Sequence, residues 1–248
     1  PFPASHLNYF SDQLHNSLEG ATVYGMIALI TYFNILKNCN RRKKIVYIFL
    51  MTLMLFSVVL TQGRGAIAAL FFTYLVGGII TKDKKLLTVL LSLLIILGIL
   101  LFNSQFIKRA VTKQGFSYRI EIAKETINRA KGDLIFGKGI SVNNNFVMKD
   151  GTKINHTHNV YLGLILYGGF TGLLIFLSLL CLAFKESIRI YLNKKDITYI
   201  LLMILAIVCI ALNEDKIITH PDALWMFFWL PLGLLAGTIY LESEYKLP

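Results

Sequence analysis

Charge is scarce in this chain. Only 16% of its 248 residues are charged, against 55% hydrophobic. The apolar residues come in uninterrupted blocks instead of spreading at helical or strand periodicity, which excludes a water-facing core and points to a bilayer. Cysteine is scarcer still. Cys39 falls in a short basic loop, while Cys181 and Cys209 lie inside apolar blocks, so no disulfide framework is available. No Cys/His cluster has zinc spacing, and no Asp-x-Asp pair occurs on the side read below as exterior. Neither a metal nor any other cofactor is expected. The apolar blocks also lack buried charges; Asn34 and a few hydroxyls are the deep polar groups. That argues against a transporter or flippase, which places ionisable groups or broken helices near the midplane.

What is present is a series of seven apolar blocks, at roughly 21–36, 45–61, 65–80, 86–102, 158–184, 197–212 and 224–241. Several fall short of the ~20 residues that span the hydrocarbon, so interfacial residues must complete them. The expected fold is all-α: a polytopic transmembrane helix bundle with one large helical loop. Three parts follow, namely 1–102 with an exterior segment and four spans, a loop at 103–157, and 158–248 with three spans. The chain opens at Pro1 without an initiator methionine or signal peptide, and its first 20 residues read as an exterior loop. It is expected to be the C-terminal portion of a longer protein.

Lys and Arg fix the sidedness. If 37–44 is cytoplasmic, alternation places 13 basic residues in the cytoplasmic loops and tail, and only Arg64 and Lys216 in the short opposite loops. The other 10 of the 25 lie in the 103–157 loop, which is then exterior. The net charge of +11 is thus mainly an orientation signal beside membrane lipids, and no nucleic-acid partner is expected.

Polar chemistry collects on the exterior face. In the reversal TQGRGA, residues 61–66, Arg64 sits at the tip between Gly63 and Gly65, where a following helix start turns its unpaired N–H groups outward. The two readings are an anion site and a headgroup anchor. Within the loop, SYRIEIAKETINRA predicts a helix over about 117–131, with Ile120, Ala123, Ile127 and Ala130 as its apolar stripe and Glu125–Arg129 as an i, i+4 pair. Arg119 is expected to open this helix, where the macrodipole disfavours a cation unless an anion compensates; the alternative is a solvated arginine. The Gly- and Asn-rich stretch 132–145 then predicts a pocket-shaping turn region. The loop ends in HTHNVYL, residues 156–162. His156 and His158 stand at the start of the next apolar block, where the positive end of a helix disfavours imidazolium and leaves a neutral ring able to accept a proton. Interfacial anchoring, with N-capping by Asn155 or Thr157, is the other reading.

QGRGA, then SYRIEIA with its FGKG turn, then HNVYLGLILYGGFTGLLIFL, in this order, resemble the O-antigen ligase and polymerase superfamily of bacterial envelope glycosyltransferases. The likeness runs over essentially the whole chain. It implies an inner-membrane protein with a periplasmic active face, which moves glycan from an undecaprenyl diphosphate carrier to an acceptor hydroxyl without a metal. Arg64 matches the arginine of the family's S-R-G-A hairpin and Arg119 the one opening the loop helix, both facing diphosphate. His158 matches the histidine of H-N-x-Y-L, the candidate base. Glu214 in ALNED stands where ligases carry an acidic residue, to orient an acceptor sugar or to cap a helix end. Gly63 replaces a frequent serine, and the loop lacks the usual tryptophan and proline. The resemblance favours a ligase acting on lipid A-core over a polymerase that extends another lipid-linked glycan.

Overall fold

The computed structural model describes residues 17–36, 40–61, 64–82, 114–142, 145–148, 151, 153–154, 157–212 and 225–244. The described residues form helices α1 (Ser17–Leu36), α2 (Arg41–Leu60), α3 (Arg64–Thr81), α4 (Gln114–Ala130), α5 (Val160–Lys194), α6 (Thr198–Leu212) and α7 (Trp225–Glu244), with a two-stranded pair β1 (Phe146–Val147) and β2 (Lys153–Ile154) between α4 and α5. Six of the seven expected apolar blocks are therefore helices, and the expected span at 86–102 lies outside the described residues. The antiparallel pair, with Phe146 opposite Ile154 and Val147 opposite Lys153, is an addition that the helical reading did not contain. The chain divides into two compact units, one of residues 1–93, 187–209 and 223–248, the other of 94–186 and 210–222.

The first unit is assembled from apolar helices with small residues at their contacts. Asn40 caps α2, its Oδ1 accepting the Arg42 N–H at 2.8 Å. Ala21 and Ala28 of α1 and Ala66 and Ala69 of α3 are buried, which lets helix backbones approach closely. Tyr32 of α1 meets Tyr74 of α3 edge to face, with centroids 5.9 Å apart. By contrast, α2 turns Ile45, Val46, Phe49, Phe56 and Leu60 outward, each more than half exposed. An apolar surface of that extent marks a face made for lipid or a partner. Among the described residues one helix, α5, is long and apolar enough to cross a membrane, and Gly20–Ile35, Gly65–Thr81 and Thr198–Ala211 are shorter apolar stretches.

Two sequence expectations are corrected. The apolar block expected to end at 184 extends to Lys194 as α5, with Ser187 and Ile190 buried along the added stretch. The face of α4 is also different. Ile120 and Ile127 of the expected stripe are 49% and 45% exposed, and the buried row is Ile122, Thr126 and Ala130. Thr126 enters the interior because its hydroxyl is satisfied locally, donating to the Ile122 carbonyl at 2.7 Å. Ile122 then packs with Phe146 and Met148. The Glu125–Arg129 pair forms as expected, with Nε to Oε1 at 3.0 Å.

Helix α5 is broken at Gly169, which has φ 62° and ψ −163°. The break interrupts the i to i+4 ladder, and the turn at 133–139 takes its place. Phe170 and Thr171 N–H donate to the carbonyls of Leu134 and Ile135 at 2.8 and 3.1 Å, while Lys138 and Gly139 N–H donate to those of Leu166 and Tyr167 at 2.8 and 2.9 Å. Four backbone groups freed by the kink are thereby paired, each of which would cost about 1–3 kcal/mol if buried alone. The docking needs two glycines face to face. A Cβ on Gly137 would lie 2.5 Å from the Gly169 nitrogen, and one on Gly169 would strike the Ile135 carbonyl oxygen.

Gly169→Ala should therefore destabilise the folded protein by roughly 1–3 kcal/mol or more, through the positive φ and the steric conflict together. Gly168→Ala, whose Cβ meets nothing within 4 Å, serves as the control and should be neutral or slightly stabilising. Thermal unfolding in detergent compares them. Equal melting temperatures for the two variants would contradict the clamp.

Candidate active site

Within the second unit a cavity of about 240 Å³ lies between α4 and the start of α5. Arg119 and Ala123 of α4 form one side, Thr157, His158 and Asn159 the other, and Ala211 near the end of α6 closes it. Two residues that are 39 positions apart in the chain, and that sequence reading assigned to one reaction, thus line one cavity. Arg119 and His158 are the ionisable groups among its described lining residues, so its formal charge is positive. Arg119 keeps an exposed face, yet desolvation of the rest lowers its pKa from the ordinary arginine value. An arginine stays protonated under such a shift. The consequence is a partly dehydrated guanidinium, on which an anionic ligand acts more strongly than on one in bulk water.

The position of Arg119 differs from expectation in one respect. Helix α4 begins at Gln114, so Arg119 sits in its second turn and does not open it. The dipole argument for a compensating anion accordingly weakens, since that effect fades beyond the first turn. Dehydration in the cavity is the better reason.

His158 is held in a conformation that its side chain does not favour. Its φ is +53°, in the left-handed region, where a non-glycine residue costs on the order of 1–3 kcal/mol and persists only when its surroundings over-determine it. The neighbours on both sides do so. The Thr157 hydroxyl, buried, donates across His158 to the Asn159 carbonyl at 2.8 Å. Asn159 is the N-cap of α5, its Oδ1 accepting the Leu162 N–H at 3.0 Å, while its carbonyl accepts from Gly163 N–H at 3.0 Å. Its Nδ2 donates to the Ala211 carbonyl at 3.0 Å. Among the described residues, that carbonyl belongs to the last turn of α6, beyond the reach of the helix's own N–H groups.

Asn159 therefore performs the capping that the sequence reading gave to Asn155 or Thr157. Thr157 braces the turn instead, and Asn155 and His156 lie outside the described residues. The signal was present in the sequence. Asn directly before an apolar run is among the strongest N-cap residues. Arg64 is the first residue of α3, so the expected helix start at the TQGRGA reversal is found, and Glu214 lies outside the described residues.

The profile of the O-antigen ligase family matches residues 49–177, a stretch that contains Arg64, Arg119 and His158. The match covers more than half of the chain, and the protein belongs to that family. A curated O-antigen ligase from Pseudomonas aeruginosa is 26% identical over 175 residues, which cover 69% of this chain and 41% of the relative. The chain thus spans well under half of that protein's length. No solved structure matches.

If Asn159 ties the two helix ends and holds His158, its two functions should separate by substitution. Asn159→Asp keeps the cap and loses the donor to Ala211, whereas Asn159→Ala loses both. Melting temperatures should fall in the order wild type, Asp, Ala, with the Ala variant destabilised by about 1–2 kcal/mol or more. A wild-type melting temperature for Asn159→Ala would refute the tie.

Proposed function

We propose that the protein is an O-antigen ligase, transferring glycan from an undecaprenyl diphosphate carrier to a hydroxyl of lipid A-core at the periplasmic face of the bacterial inner membrane. The observation that carries the reading is the shared cavity of Arg119 and His158 in a chain of this family. The apolar helix α5 and the outward apolar face of α2 support a membrane-embedded, multi-pass protein.

The chemistry follows from the residues. His158 accepts the proton of the acceptor hydroxyl as its oxygen forms a bond to the anomeric carbon. The bond from that carbon to the diphosphate oxygen breaks, and the diphosphate departs with the electron pair. Attack opposite the leaving group inverts the anomeric centre. Arg119 offers a planar fork of N–H donors to the phosphate oxygens as negative charge grows there. Arg64, at the start of α3, takes a second share of the same charge. Two guanidiniums thus supply the stabilisation for which other transferases use a divalent cation. Glu214 is assigned to the acceptor side.

The test reconstitutes the full-length protein with lipid-linked glycan and lipid A-core in the presence of EDTA. Glycan should appear on lipid A-core at the rate seen without chelator. His158→Ala should lower that rate by about 10²- to 10⁴-fold, the usual worth of a general base. Arg119→Lys, which keeps charge and loses the fork, should also fall sharply. Growth of repeats on the carrier lipid instead would make the protein a polymerase. Transfer at wild-type rate by His158→Ala would remove the base.

A further inference from the structure

A larger cavity, about 400 Å³, opens in the same unit between α4 and the β1 segment. Its chemistry is unlike that of the Arg119–His158 cavity. Glu121, Lys124, Glu125 and Asn128 stand along it at spacings of three and four, which aligns them on one face of α4. Carboxylate acceptors therefore alternate with ammonium and amide donors. Ile120 and Val147 add apolar surface, 49% and 65% exposed, so both lie outside the core row of Ile122, Phe146 and Met148. Two glutamates against one lysine leave a formal charge of the wrong sign for a diphosphate.

The wall is also firmly built. Glu125 is fixed by Arg129 at 3.0 Å, and the Arg129 guanidinium lies 4.5 Å over the ring of buried Phe146. The cavity is thus pinned to packed structure and not to a loose loop. Ile120 lines both cavities, so the two adjoin along α4. From Arg119 to Asn128 along α4 is a distance of about 14 Å at 1.5 Å per residue. A ligand lying on this path meets a cationic end and then a row of mixed donors and acceptors beside apolar patches.

Few ligands share that order of chemistry. A glycan joined to a diphosphate does: the diphosphate is the anionic end, and sugars present hydroxyls around their rims and C–H groups on their faces. We propose that the groove of Glu121, Glu125 and Asn128 is a glycan subsite, which holds the sugars of the donor that lie beyond the one at the reacting bond. The proposal rests on the transferase reading above. The groove contributes binding that is the same in ground state and transition state, so it acts on KM and not on kcat.

The experiment uses the full-length protein in liposomes and two donors, undecaprenyl diphosphate carrying one sugar and the same carrier bearing several repeat units, with lipid A-core as acceptor. Glu121→Gln and Asn128→Ala alter groups at the surface of α4. Each should raise KM for the long donor by about fivefold, the worth of a lost hydrogen bond, with kcat unchanged to within about twofold. KM for the single-sugar donor should stay at the wild-type value, which also shows that the variants fold. An active wild type whose variants match it on both donors would overturn the subsite alone. A higher KM for lipid A-core with no change for the long donor would overturn it by moving the groove to the acceptor. A wild type inert toward both donors would overturn the transferase reading and the subsite with it.

Discussion

One carboxamide holds the site together. The Asn159 side chain satisfies an N–H at the start of α5 and a carbonyl at the end of α6, both of which a helix leaves unpaired. In an apolar setting the two orphan groups are costly, and a single residue removes both costs. Its backbone carbonyl also receives the Thr157 hydroxyl, which closes a small loop over His158. The left-handed backbone of His158 is tolerable only inside that frame. His158 thus faces the Arg119 cavity because of bonds that its neighbours make.

The break at Gly169 extends the same logic into the helix. A straight α5 would pair Leu166 and Tyr167 with Phe170 and Thr171 and leave the 133–139 turn without these partners. The kink exchanges those bonds for four with the turn, so the loop that follows α4 is bolted to the helix that follows His158. Arg119 and His158 therefore stand on two elements joined at more than one point: through the turn, and through the core of Ala130, Leu166 and Tyr167. Precise placement of an imidazole and a guanidinium on one cavity requires such support, since a site held loosely loses the advantage of proximity.

The helices were legible because long apolar runs separated by basic or Gly-containing punctuation leave few alternatives; the blocks at 21–36, 65–80 and 197–212 fall within a few residues of α1, α3 and α6. Local hydrogen bonding was harder to read. The stripe Ile120–Ala123–Ile127 is a fair apolar face on composition, but a threonine that bonds its own helix can be buried, and Thr126 turned α4 accordingly. The consecutive glycines at 168 and 169 were visible in the sequence, but only one of them carries the kink, and its partner Gly137 lies on a separate turn. The meeting of Arg119 with His158 was likewise beyond periodicity. Family resemblance suggested a common substrate for them, and the two line one cavity between α4 and α5.

The proposed reaction divides the labour, with arginine holding the diphosphate and histidine moving the proton. Affinity for undecaprenyl diphosphate itself, which carries no glycan to transfer, measures the first task without the second. Arg119→Ala should weaken binding by about 10- to 100-fold, the range expected for charge-assisted hydrogen bonds, while His158→Ala should bind within about threefold of wild type. Equal binding by Arg119→Ala and wild type, with the loss falling on His158→Ala instead, would contradict this division.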